Sequence, residues 1–149
     1  MPVEIARRRA GQKLPSRKLK KIALAILDLA GQADAELSLA LIGNAEMRKL
    51  NAKYRGKDYP TDVLSFPMEE TAPTATRLLG DVIISVDKAR EQAKERGRAQ
   101  DQEMTTLLIH GIVHLLGYDH ERSAKDARAM KRLENKIYRQ LCDQGLIKV

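Results

Sequence analysis

His110, His114 and His120 are all the histidines the chain has, and they fall within eleven residues: His110-Gly-Ile-Val-His114-Leu-Leu-Gly117-Tyr-Asp-His120. On a helix, positions i and i+4 lie one turn apart on one face, so His110 and His114 can offer two imidazoles to one ion. A third ligand on the same helix would lie too far along the axis to share that ion. The chain must turn back, and Gly117 stands where a left-handed residue would end the helix. His120 then falls on the short return. Three imidazoles at about 2.0–2.1 Å would hold one zinc ion per chain and leave one tetrahedral position open, the arrangement of a hydrolytic site. A purely structural zinc is the competing reading, but such sites usually have four protein ligands and contain Cys. The single cysteine, Cys142, is remote in sequence and lies in an apolar stripe, so it is assigned no catalytic role.

The spacing equals that of the metzincin proteases, His-Glu-x-x-His-x-x-Gly-x-x-His. The protease places its general-base Glu where this chain has Gly111. Met130 lies in a helical stripe rather than a tight turn, so a standard metzincin mechanism is not expected. Glu103, Asp119 and Glu121 are near in sequence, and spacing alone assigns none of them as a base.

The elements that must position these residues follow from hydrophobic period and end signals. Residues 2–8 are expected to form a first strand. Ser16 can cap a helix to about Ala30, with Leu19, Ala23, Ile26, Leu27 and Ala30 on one face and Gly31 as its stop. Glu36 to Ile42 reads as a strand. Asn44 can cap a helix with the stripe Met47, Leu50 and Tyr54, stopped by Gly56. After a loop through Pro60, Asp62 to Phe66 reads as a short strand ended by Pro67. A Thr-rich loop, Glu69 to Arg77, leads into Leu78 to Val86, apolar and β-branched enough for a buried strand. Asp87 can cap a helix to about Arg96, and Asp101 can open the next, ending near Leu116. Ser123 and Asp126 have capping-box spacing for a last helix with the stripe Ala127, Met130, Leu133, Ile137 and Leu141. The expected architecture is a single α+β domain over residues 1–149: one sheet of about four strands packed with about five helices, the histidine motif at a helix end and the turn after it.

Aromatics are only 3% of the chain and hydrophobic residues 43%, so an ordinary globular core must be built from aliphatic side chains. The longest apolar stretch, Ile22 to Ala30, is short and interrupted by Asp28, which argues against a membrane span. Arg7, Arg8 and Arg9 are not followed by the long apolar region of an export signal, and the lone cysteine suits a reducing compartment. A cytoplasmic location is expected. The formal net charge of +7 is carried by residues 1–21, with eight basic side chains and one acid, while the remainder is neutral. A basic end on a neutral body suits either contact with a polyanion or a solvated face.

Three motifs together resemble the YbeY endoribonucleases, a family of rRNA maturation factors. The first is His110 to His120, matching His-Gly-x-x-His-Leu-x-Gly-Tyr-Asp-His. The second is Tyr54-Arg55-Gly56-Lys57-Asp58 followed by Pro60-Thr61-Asp62-Val63-Leu64-Ser65-Phe66-Pro67. The third is Leu79-Gly80-Asp81-Val82-Ile83-Ile84. Order, spacing and length all fit, while residues 1–35 add little. The resemblance implies a metal-dependent, single-strand-specific endoribonuclease in small-subunit rRNA 3′-end maturation and ribosome quality control. It implies zinc on the three histidines, and rRNA and the small ribosomal subunit as partners, with ribosomal proteins or assembly GTPases as further ones. It also implies an arginine needed for activity, which falls on Arg55. A guanidinium there can pair bidentately with a phosphate, with Lys57 beside it. Two other functions fit the histidines alone: a metalloprotease-like hydrolase, and a ribosome-assembly factor whose zinc is structural.

Overall fold

A computed structural model describes residues 3–7, 16–68 and 78–147. Arg8, Arg9, Lys13 and the expected loop 69–77 lie outside the described residues. In chain order the elements are β1 (Val3–Arg7), α1 (Ser16–Leu29), β2 (Glu36–Ile42), α2 (Asn44–Arg55), β3 (Val63–Pro67), β4 (Leu78–Ser85), α3 (Val86–Glu95), α4 (Gln100–Leu115) and α5 (Ala124–Asp143). The four strands form one mixed sheet in the order β1-β2-β4-β3. β1 and β4 both run parallel to β2, and β3 lies antiparallel on the outer side of β4, with Val63 opposite Ile84 and Pro67 opposite Gly80. This is the α+β architecture expected from the sequence.

Alternation along the strands sorts side chains onto two faces. Leu37, Leu39, Leu41, Val82 and Ile84 turn to one face and meet α1, α4 and α5 through Ile22, Ile26, Leu108, Ile112, Met130, Ile137 and Leu141, all buried. Leu64, Phe66 and Ile83 turn to the other face and meet Met47 and Leu50 of α2. Each such fully buried Leu or Ile contributes about 1.5–3 kcal/mol. Helix α4 therefore lies on one face of the sheet and α2 on the other, and both reach the β3 edge.

Several helix ends differ from the sequence reading for identifiable reasons. Gly43, not Asn44, precedes α2 in extended conformation. The Asn44 side chain instead accepts from Ser85 Oγ at 2.7 Å, while its backbone N–H donates to Asp87 Oδ2 at 2.8 Å. Asp87 is thereby drawn to a neighbouring helix, and Ser85 caps α3 by accepting from the Lys88 N–H. Val86 belongs to that helix rather than to the strand. Helix α4 starts one residue before Asp101, whose carboxylate pairs with Lys18 at 2.8 Å and is held below its ordinary pKa by that bond. Tyr54 is exposed rather than part of a buried stripe, and its ring meets Phe66 edge-on at 5.1 Å. The stop at Gly56 and the cap at Ser123, which accepts from the Asp126 N–H at 3.1 Å, follow the sequence signals.

Candidate metal centre

His110 and His114 occupy the last two turns of α4, and the chain then reverses at Gly117, whose φ of 100° disfavours any residue with a Cβ. The reversal brings His120 back over the helix. The ring centroids stand 5.0 Å apart for His110 and His114, and 5.4 Å from each to His120. One ligand nitrogen from each imidazole lies within 4.8 Å of the other two, so the three can hold one metal ion. The donor set suits it: neutral imidazoles are good ligands only while unprotonated. Burial, and then the proximity of His110 and His120, push the His114 pKa below its ordinary value, which keeps that ring neutral.

Glu134, on α5, accepts from His110 Nδ1 at 2.5 Å and is largely buried there. The bond engages Nδ1 and leaves Nε2 as the ring nitrogen free for a metal, the usual carboxylate support for a metal-binding imidazole. Sequence reasoning missed Glu134: it stands 24 residues from His110, and no spacing rule links them. Only the α4–α5 packing brings the two together.

The histidines open onto a cleft of about 380 Å³, lined also by Arg55, Lys57, Asp62, Ser65 and Glu121. Arg55 ends α2 and is partly exposed, with a loose ion pair to Glu121 at 3.7 Å. The two sequence motifs thus converge on one cavity. Of the three acids left unplaced by sequence, Glu121 stands at the cleft, 3.9 Å from His120 Nε2. Asp119 instead braces the turn by accepting from the Glu121 N–H at 2.8 Å, which lowers its pKa. Glu103 is fully buried and salt-bridged to Arg96 and Arg98 at 2.7 and 3.2 Å, outside the cleft. Cys142 is half-buried against the core and lines a different cavity.

Gly111 faces the sheet, not the cleft. A Cβ there would lie 2.7 Å from Val82 Cγ1 and 3.2 Å from Ser65 Oγ, which donates to the Gly111 carbonyl at 3.1 Å. No glutamate could be accommodated without moving α4 off β4. Gly111→Ala should accordingly cost about 1–3 kcal/mol by overpacking. Thermal unfolding beside the wild type checks this, and an unchanged midpoint would show that the helix shifts freely.

The chain matches a family model described as Endoribonuclease YbeY over residues 4–142. It is 49% identical over 123 residues to the endoribonuclease YbeY of a Sulfurihydrogenibium species, covering 83% of this chain and 81% of that protein. It is 41% identical over 150 residues to the endoribonuclease YbeY of Geobacter sulfurreducens, covering 99% and 100%. A Thermotoga maritima protein solved in solution superposes with a TM-score of 0.65 at 28% identity, covering 95% of this chain and 90% of that one. With the family model matched from the first strand to the end of the last helix, the protein belongs to the YbeY endoribonuclease family.

Proposed function

We propose that this protein is a zinc-dependent, single-strand-specific endoribonuclease acting on rRNA, in small-subunit 3′-end maturation and ribosome quality control, with residues 1–149 as one catalytic domain. The observation that carries the reading is the convergence of three histidines with Arg55 and Lys57 in a single cleft. His110, His114 and His120 would hold the metal. A zinc ion in such a site supplies Lewis-acid activation of a phosphodiester.

The chain's own residues do the rest. Arg55 grips a non-bridging phosphate pair and stabilises charge that develops there, and Lys57 adds a second cation at the same mouth. Arrival of a phosphate displaces Glu121 from Arg55, since a charged, bidentate partner outcompetes a contact at 3.7 Å. Glu134 holds His110 in register. The basic residues 7–21 add sequence-independent affinity for RNA. Among the described residues no helix is long and apolar enough to cross a membrane, consistent with a cytoplasmic enzyme working beside the small ribosomal subunit, its proteins and assembly GTPases.

Purified protein incubated with a labelled rRNA precursor and with a protein substrate, each with and without chelator, tests the reading. Chelator-sensitive cleavage of RNA alone is expected. Proteolysis, or RNA binding without cleavage, would overturn it. Glu134→Ala should weaken zinc binding about 10- to 100-fold while the protein stays folded. Competition against a zinc-binding dye measures this, and an unchanged affinity would remove Glu134 from the centre.

A further inference from the structure

The cleft does not end at the histidines. A shallow depression beside it, walled by His110, His120, Met130, Lys131 and Glu134, shares His110 and His120 with the cleft. Beyond, between α4 and α5, lies a cavity of about 400 Å³ that shares Lys131 and Glu134 with the depression. Three concavities therefore abut in series, the cleft first and then two that run along α5, away from the histidines.

Three exposed cations along this run have no partner among the described residues. Arg128, Lys131 and Arg139 are exposed, border the depression or the cavity, and make no hydrogen bond or ion pair among the described residues. Of the facing carboxylates, Glu134 is engaged by His110, and Asp143 lies at the far end. Positions 128, 131, 135 and 139 recur every three or four residues, so they form one helical stripe roughly 16 Å long. A repeating anion matches such a stripe.

The far cavity adds a different chemistry. Its walls combine Ile109, Tyr138 and Cys142 with Arg98 and the exposed Asn135. The Tyr138 ring is fixed in advance: its hydroxyl accepts from Arg98 Nη2 at 3.1 Å, and the guanidinium lies 5.5 Å from the ring centroid. Arg98 is in turn tied to the buried Glu103. A pre-positioned aromatic beside a guanidinium and an amide can stack and hydrogen-bond a nucleobase, and the volume falls within the range of about 300–1,000 Å³ usual for small-ligand sites.

Building on the ribonuclease reading, we propose that single-stranded RNA leaves the histidine cleft along this stripe of α5, its phosphates meeting Arg128 and Lys131 and one base seated beside Tyr138. Among the described residues Tyr138 is the Phe, Tyr or Trp side chain that lines these concavities.

The test measures binding and cleavage separately, on a fluorescent trinucleotide and on a strand of about 12 nucleotides, a length within usual single-strand site sizes. The zinc-loaded full-length chain is compared with two double charge reversals. Arg128→Glu with Lys131→Glu removes the stripe; Arg132→Glu with Lys136→Glu changes the net charge equally, at exposed α5 positions that border neither cavity. The stripe variant should lose roughly tenfold or more in affinity for the longer strand, with a shallower salt dependence, and little for the trinucleotide. The control variant should lose distinctly less. A 2-aminopurine stepped along the strand should be quenched at one position and released by Tyr138→Leu but not by Tyr138→Phe. Equal losses in the two reversals, or none, would overturn the path. Wild-type binding that follows the expected pattern without any cleavage would leave the path standing and overturn the nuclease reading instead.

Discussion

Replacing His114 by Ala should yield a folded protein that neither retains zinc nor cleaves RNA. His114 is one of three candidate ligands, and its ring stands 5.0 and 5.4 Å from the other two, measured between centroids. Two imidazoles cannot complete the three-ligand arrangement that holds a catalytic zinc. Loss of a supporting hydrogen bond to a ligand already weakens affinity about 10- to 100-fold, so loss of the ligand itself should exceed that. Folding should survive, because His114 is only partly buried and α4 is anchored by Leu108, Ile109, Ile112 and Val113, all at 1% exposure or less. Truncation also removes an imidazole whose protonation burial and two neighbouring histidines oppose. The measurement is zinc per chain by elemental analysis, beside cleavage and thermal unfolding. About one zinc in the wild type and none in the variant is expected. A wild type without metal that takes up no zinc on titration would remove the metal centre altogether.

Arg55→Ala should keep both fold and zinc yet lose about 10²–10³ in cleavage rate, the usual cost of removing one donor that stabilises transition-state charge. The structural setting separates that loss from stability. Arg55 ends α2, its side chain is 44% exposed, and its one ion pair among the described residues, at 3.7 Å to a 63%-exposed Glu121, is worth little. Surface substitutions of this kind usually change stability by less than about 0.5 kcal/mol. Arg55→Lys should recover only part of the rate, because an ammonium cannot form the bidentate pair. Single-turnover cleavage, zinc content and unfolding are read together. Wild-type cleavage by Arg55→Ala would exclude Arg55 from the chemistry. Loss of zinc or of fold would make it structural and favour an assembly factor over a nuclease.

The elements were legible wherever a local rule decided them. Strand β2 follows its alternation from Glu36 to Ile42, and Gly31, Gly56 and Gly117 all take the left-handed or otherwise positive φ expected of stop residues. Where the local rule failed, a tertiary partner outbid it. Asn44 and Asp87 have the chemistry of caps, but each serves a neighbouring element, because α2, α3 and the end of β4 crowd together.

The candidate ligands were legible because a single helix and a single glycine turn place all three histidines, and i, i+4 spacing is a local property. Arg55 was indicated by resemblance alone; its approach to the histidines requires α2 and α4 to cover opposite faces of the sheet and meet at the β3 edge. Gly111 was legible as the absence of a base, but the reason for it was not: the Cβ it lacks would fall on Val82, a contact 29 positions away in sequence. The placement of Glu134 and Glu121 and the concavities beside α5 likewise depend on how helices pack and where a loop returns. Sequence by itself determined the candidate ligand set, the order of elements and the reaction class they resemble. The tertiary structure decided which carboxylate braces a histidine, which faces the cleft and which is buried, because a carboxylate's role follows from its neighbours and its exposure to water, and neither has a period along the chain.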